Sequence, residues 1–448
     1  MQVTSARHAE PRVSPEGPTT VTLAAAAESA LSRASDARST NRIRLHSLDA
    51  LARRAVLTKL SRLERGGLVL VDGVERHEFG RTCDVLPESV VVHIHDVRFY
   101  GDLAFGGSIG AGEAYMHGYW STAHLVELIR MLILNMDVLD GLDSGAARTA
   151  VPLRRLVHAI RRNTRAGARR NIAAHYDLGN EFFRLFLDET MMYSSAIFTR
   201  PEMSLYEAQI ARLDAICRKL DLRPGDRVLE IGTGWGGFAL HAAQRYGCHV
   251  TTTTISREQW HLARERVEEC GFGGRVEVLC EDYRDLRGRY DKLVSIEMIE
   301  AVGHEYYETY FDRCGRLLEP NGAMLLQAIT IADQRYERAR RSVDFIQRYI
   351  FPGSCIPSVS ALSGAIARAS DLRIVHLEDI GVHYARTLAE WRRNLLANRH
   401  RIRGLGYDDQ FIRMWEFYFC YCEGGFIERA IGDVQILLVK PNYRGPMM

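Results

Sequence analysis

Val228-Leu229-Glu230-Ile231-Gly232-Thr233-Gly234-Trp235-Gly236-Gly237 decides the fold class. An apolar run that enters a glycine-rich turn is the signature of a buried parallel strand handing over to a helix, with the backbone bare enough to approach a ligand. The reading places a strand at Arg227 to Ile231 and a helix start near Phe238. Gly232, Gly234 and Gly237 also satisfy the G-x-G-x-x-G spacing, which serves nicotinamide dinucleotides and other adenosine-containing ligands alike. A nicotinamide enzyme needs an acid at the tip of the second strand, about 20 residues on, to hold the ribose hydroxyls. The strand His249 to Ile255 ends instead in Ser256-Arg257-Glu258-Gln259, with no acid at its tip, so a hydrogen-bonding substitute such as Gln259 must take the ribose.

Working outward, a chain of 448 residues with 46% hydrophobic and 25% charged residues has room for two domains and a large core. Lys+Arg 58 against Asp+Glu 56 is nearly balanced and argues against general nucleic-acid binding. One local exception runs from Arg154 to Arg170, with seven arginines, His158 and no acid. This cluster suits an anionic membrane surface, at roughly 1 kcal/mol per charge, although a solvated basic linker has the same composition. Nine cysteines without a C-x-x-C pair indicate neither a disulfide framework nor a zinc knuckle and fit a reducing cytoplasm. The longest apolar run, Leu125 to Leu139, is broken by Glu127, Arg130 and Asp137 and is too short to span a bilayer. The expectation is a cytoplasmic protein that touches a membrane peripherally, without a cleaved signal.

Residues 1–45 read as a mobile tail, 46–150 as a small α+β domain, 151–172 as a basic linker and 173–448 as a doubly wound α/β sheet domain. His93 and His95 share a strand face but lack a third ligand, so an exposed polar face is expected and no metal site. In the large domain, strands are expected at 227–231, 249–255, 276–280, 292–296, 323–329, 374–377 and 433–439, the last closing the sheet. The insertion between Thr330 and Ser360 carries Tyr349-Ile350-Phe351-Pro352-Gly353, an aromatic element and turn suited to cover an apolar ligand.

Several motifs then fall in a specific order: His175-Tyr176-Asp177-Leu178-Gly179-Asn180-Glu181-Phe182-Phe183, Met192-Tyr193-Ser194-Ser195-Ala196, Gly232 to Gly237, Thr254-Ile255-Ser256, Asp282-Tyr283-Arg284-Asp285 and Tyr349 to Gly353. With these, from about Gly110 onward, the chain resembles the cyclopropane fatty acid synthases, including the mycolic acid cyclopropane synthases. The resemblance implies a Rossmann-like class I methyltransferase domain. It also implies S-adenosylmethionine as cofactor and the cis double bond of an unsaturated acyl chain, carried on a membrane phospholipid, as acceptor. It assigns the cofactor to Tyr193, Ser194, Glu230, Gly232, Gly234, Trp235, Gly236, Thr254, Gln259, Asp282 and Tyr283.

An alkene is a poor nucleophile, so it must be held in line with the sulfonium methyl in a dry pocket. Attack leaves a carbocation, which aromatic faces stabilise without trapping; Tyr193, Tyr306, Phe351 and Tyr384 are candidates, although core packing is the commoner fate of an aromatic. A base must then remove a proton. The resemblance implies a bound bicarbonate, held by Glu300, by Tyr384 and by backbone groups at Ser195. Two positions depart from the family: Ser195 stands for the usual cysteine and Gln327 for the usual histidine. Glutamine donates a hydrogen bond but carries no charge and shuttles no proton. Cys422 matches another family cysteine and reads as structural or pocket-lining. The departure at Gln327 leaves the cation two fates: a cyclopropane ring, placed first, or a methylene branch that a partner reductase would convert to a methyl. Two further readings stand beside these. One is a nicotinamide oxidoreductase, which the missing acid opposes; the other is an inactive lipid-binding relative, which intact Glu300 and Tyr384 oppose. Chain length, lipid carrier and oligomeric state are left open.

Overall fold

The computed structural model describes residues 47–136, 168 and 178–446. The tail 1–45, the Arg154 to Arg170 cluster and His175-Tyr176-Asp177 lie outside the described residues. Two sheets organise the rest, one of four strands in the order β2-β1-β3-β4 and one of seven in the order β10-β11-β9-β8-β5-β6-β7.

In the larger sheet, β5 (Arg227–Ile231), β6 (His249–Thr253), β7 (Val276–Leu279), β8 (Tyr290–Ile296) and the carboxyl half of β9 (Leu318–Ile331) run parallel. Helices connect them, as parallel neighbours require. The chain order reverses direction beside β5, and ligands in such sheets bind outside the carboxyl ends of the strands at that switch point. The doubly wound class read from the sequence is therefore the class observed. One detail differs. The last strand, β11 (Ile431–Val439), is inserted antiparallel between β9 and β10 (Arg373–Asp379) and does not lie at the sheet edge. Burial explains the placement: Asp433 to Val439 are all buried, which only an interior strand covered on both faces allows, whereas β10 is largely exposed.

The smaller sheet comprises β1 (Gly66–Asp72), β2 (Glu75–Arg81), β3 (Val90–Ile94) and β4 (Trp120–Ser121), flanked by helices Ser47–Leu60, Arg98–Met116 and Leu125–Leu134. His93 and His95 are exposed, and no metal-holding cluster occurs among the described residues. This layer shares a core with the carboxyl-terminal helix Asp409–Ile427, in which Phe345, Phe417 and Tyr115 interlock. Arg130 also pairs with Glu428 at 2.6 Å.

Candidate active site

At the end of β5 the glycine turn takes the backbone where a side chain could not follow. Gly232 has φ 105° and Gly234 φ 53°, and a Cβ on Gly234 would meet nothing within 4 Å, so open space lies over the turn. Around it, Thr252 Oγ1 donates to Glu230 Oε2 at 2.6 Å, and burial lifts the Glu230 pKa to about 8. Thr254 Oγ1 holds Gln259 by its carbonyl at 2.9 Å, and the Ser256 side chain caps the Gln259 helix. Both Asp282 oxygens take hydrogen bonds from Arg284, at 2.8 and 2.6 Å, and Tyr283 stands edge-on to Tyr310. Trp235 turns inward, donating to Asn180 Oδ1 at 2.7 Å and packing on Phe183. Ser194 also faces inward, accepting from Gln209 Nε2 through its carbonyl and from Arg212 Nη2 through its hydroxyl, each at 2.9 Å. An open glycine cradle with a buried acid and a glutamine beside it fits an adenosine cofactor.

Next to the cradle lies a buried cluster of carboxyls that the sequence reading only half found. Ser195, Gln327 and Tyr384 converge, but on Glu297, one residue past the end of β8. Glu297 Oε1 accepts from the Ser195 backbone N–H at 2.8 Å and from Gln327 Nε2 at 2.7 Å; Oε2 accepts from the Tyr384 hydroxyl at 2.6 Å. Gln327 Nε2 also donates to Asp433 Oδ2 at 3.0 Å. Glu300 Oε1 accepts from the Ile329 N–H at 2.6 Å, while its Oε2 and Asp433 Oδ1 are buried without a partner. Burial raises all three carboxyls, Glu300 to about 8 with Glu297 adding repulsion, and Asp433 well above the carboxylate range. Arg212, fully buried, is the cation drawn to Glu297 and Asp433, and desolvation lowers its own pKa. Glu297 is thus the best place in the cluster for the negative charge, since it alone collects three donors.

Among the aromatic candidates, Tyr193, Phe351 and Tyr384 line one region: Tyr193 lies 6.1 Å from Phe351 and 5.2 Å from Trp391, which stands 6.0 Å from Tyr384. Tyr306 belongs to a different core cluster and faces Arg284, so it does not join them. Cys422 packs half-buried against the aromatic core, and burial drives its thiol pKa far up, as suits a structural residue. Glu297, Asp433 and Arg212 escaped the sequence reading. The available signals were an acid inside the apolar run of β11, and an arginine at helical spacing from Ala208 and Ile216.

A parallel sheet that opens its glycine turn to an adenosine cofactor, with an aromatic and acidic pocket alongside, is the arrangement of the class I S-adenosylmethionine-dependent methyltransferases. The family model described as mycolic acid cyclopropane synthetase matches residues 163–436. The chain is 43% identical over 341 residues to the tuberculostearic acid methyltransferase of Mycobacterium tuberculosis, covering 75% of this chain and 79% of that one. It is 37% identical over 355 residues to the cyclopropane-fatty-acyl-phospholipid synthase of Escherichia coli, covering 78% and 87%. A mycolic acid cyclopropane synthase solved with S-adenosylhomocysteine and CTAB superposes with a TM-score of 0.58 at 33% identity, over 61% of this chain and 98% of that one. The chain belongs to the cyclopropane fatty acid and mycolic acid synthase family. It is an S-adenosylmethionine-dependent C-methyltransferase. Bicarbonate, by contrast, does not fit the residues present: of the groups the resemblance gives it, the Ser195 N–H and the Tyr384 hydroxyl already end on Glu297, as does Gln327 in place of the usual histidine, and Glu300 beside them is a further carboxyl.

Proposed function

We propose that this protein moves the methyl carbon of S-adenosylmethionine onto the cis double bond of an unsaturated acyl chain of a membrane phospholipid, that Glu297 is the base, and that the product is a methylene-branched chain. Bound over the glycine turn, S-adenosylmethionine supplies an electrophilic methyl group. Tyr193, Glu230, Gly232, Gly234, Gly236, Thr254, Gln259, Asp282 and Tyr283 are the residues we assign to hold it, with Ser194 and Trp235 contributing through their backbone because their side chains turn inward. Tyr193, Phe351 and Tyr384 present π faces to the cation left on the acyl chain, and their packing excludes water that would quench it.

The observation that carries the proposal is the Glu297 carboxylate, tethered by the donors that the family resemblance assigns to bicarbonate. Three donors draw on its lone pairs and take back part of the basicity that burial gives it. A cation that waits for its base has time for a 1,2-hydride shift, in which the methylated carbon gives its hydrogen and bonding pair to the neighbouring cationic carbon. The secondary cation becomes tertiary, and loss of a proton from the new methyl to Glu297 leaves a C=CH2 branch. The proton therefore comes from the transferred methyl and not from a neighbouring chain carbon. Ring closure, placed first by the sequence, removes a proton from the same methyl before that shift. The 43% identity to the tuberculostearic acid methyltransferase supports the branch, because that relative is a methylene-branching enzyme. The 37% identity to the Escherichia coli synthase keeps the ring as the second reading.

A methylene product needs a reductase partner to become a methyl branch. No helix among the described residues is long and apolar enough to cross a membrane, and we assign the approach to lipid to peripheral contact that includes the Arg154 to Arg170 cluster. Incubation with methyl-labelled S-adenosylmethionine and dioleoyl phospholipid vesicles, followed by mass spectrometry and NMR of the acyl chains, tests the proposal. A gain of one CH2 with vinylidene protons is expected. Upfield ring protons would replace the branch with the ring, and no labelled lipid would overturn both.

A further inference from the structure

The Glu297 cluster does not end at Gln327. On β11, Gln435 lies directly across from Gln327 of β9, and on β10 Glu378 lies directly across from Gln435. The three side chains form one row across the sheet. Gln435 Nε2 donates to Gln327 Oε1 at 3.0 Å, and Gln435 Oε1 accepts from Lys219 Nζ at 2.6 Å. Lys219, the last residue of helix Leu205–Lys219, is only 5% exposed, and its ammonium also meets Glu378 at the half-exposed sheet edge.

This row has a direction. A glutamine amide alone can flip, exchanging its acceptor for its donor, but an ammonium can only donate. Lys219 therefore fixes the Gln435 oxygen toward itself, which turns the Gln435 NH2 onto the Gln327 oxygen. The Gln327 NH2 is left facing the two carboxyls, with one hydrogen for Glu297 Oε1 and one for Asp433 Oδ2. With Gln327 reversed, a carbonyl oxygen would press against both carboxyls and favour a protonated Glu297. Hydrogen bonds in such a chain also polarise one another, so the ammonium charge is felt at the far end.

We propose that Lys219, acting through Gln435 and Gln327, is a positioning residue that holds Glu297 as a carboxylate, on the opposite side of the row from the substrate; the inference rests on Glu297 as the base. The other charged or titratable groups facing Glu297 are Arg212 from the Leu205–Lys219 helix, Asp433 from β11, Glu300 after β8 and Tyr384 from helix Gly381–Ala397. Lys219 itself faces Glu378 from β10. Arg212 does not orient the amides of the row, since its hydrogen bonds go to Ser194 and Gln209.

The test is the pH dependence of kcat/KM for methyl transfer to dioleoylphosphatidylcholine vesicles, whose surface charge is constant with pH. Lys219→Met removes the donor, so the carboxylate form of Glu297 loses support, its apparent pKa rises, and the acid limb moves to higher pH by about half to one unit. Gln435→Glu, nearly isosteric, sets an acceptor against the Gln327 oxygen and is expected to move the limb in the same direction. Lys219→Arg restores it, because a guanidinium also only donates. Glu378→Gln takes away the surface ion pair but leaves Lys219 on Gln435, and its limb stays with the parent. S-adenosylmethionine affinity is unchanged in all four. A lowered melting temperature or uniform loss of kcat with the limb unmoved in both Lys219→Met and Gln435→Glu would reduce the row to packing and overturn the inference. Glu297→Gln is measured in parallel: full turnover there would remove Glu297 as base, a failure distinct from an unmoved limb in the presence of an inactive Glu297→Gln.

Discussion

Glu297 has a backbone φ of 48°, a left-handed conformation that costs a side-chain-bearing residue roughly 1–2 kcal/mol. Strain of this kind persists where the surroundings hold it, and here the Ser195 N–H, Gln327 and Tyr384 do so. Glu297→Gly should therefore relieve the strain, which offsets only part of the cost of leaving buried donors without a partner, while turnover falls by about 10²–10⁴-fold, the usual worth of a general base. The same change leaves three donors around a vacated space, so added acetate or bicarbonate should restore part of the activity. Full activity without added anion would remove Glu297 from the chemistry. The carboxyls also set the pH response of the cofactor-free protein. Glu230 and Glu300 have folded pKa values of about 8 against an ordinary 4.5. Between those values the folded state keeps a proton that the unfolded chain has released, so stability falls as pH rises, by about 1.4 kcal/mol per pH unit for one full proton. Thermal melts should show a decline from about pH 5 to 8, flattened in Glu300→Gln; an unchanged slope in that variant would contradict the Glu300 shift. Sequence made Ser195, Gln327 and Tyr384 legible, because motif order carries them. Glu297 was not, because nothing in Ser295-Ile296-Glu297-Met298 tells that the chain turns left-handed there and folds a carboxylate back onto its neighbours.

At the scale of elements, hydrophobic runs and glycine turns were enough to find all seven strands of the large sheet, with Arg227–Ile231 matched residue for residue. What the runs did not reveal was lateral order. A strand such as β11, apolar on both faces, must lie inside a sheet, but which neighbours receive it depends on the crossover and not on its own residues. The polar strand β2 carries little such signal for the complementary reason: Glu75–Arg81 is mostly exposed and has little hydrophobic pattern to read. Helix contacts were equally silent. Gly424 of the Asp409–Ile427 helix lies so close to the Leu125–Leu134 helix that a Cβ on it would come within 2.8 Å of Ile129 Cγ2. Ile129 is β-branched and stiff, so it cannot swing aside. Gly424→Ala should destabilise the protein by about 1–3 kcal/mol, read as a lower urea midpoint at constant slope. A gain in stability, as expected for a helix glycine with room around it, would show that the two helices are not in close contact.

For the molecule as a whole, the small amino-terminal layer is structurally continuous with the methyltransferase core. The family match spans residues 163–436, so the layer lies outside it. Yet the Tyr115 ring lies tilted 5.8 Å from that of Phe417, and a Cβ on Gly112 would collide with Phe345, which puts residues of that layer in contact with the aromatic core that continues to Tyr193 and Tyr384. Phe417 and Phe345 are both buried here, and stripping the layer away would expose them together with the facing side of the Asp409–Ile427 helix. Each large apolar side chain returned to water costs about 1.5–3 kcal/mol, and a contiguous patch of them invites association. A shortened protein beginning at residue 163 is therefore expected to elute as large aggregates in size-exclusion chromatography with light scattering, and to lose lipid methylation even where S-adenosylmethionine still binds the glycine turn. A monodisperse shortened protein with full turnover would mean that the carboxyl-terminal helices bury their own aromatic face, and that the layer serves the lipid surface instead of the pocket.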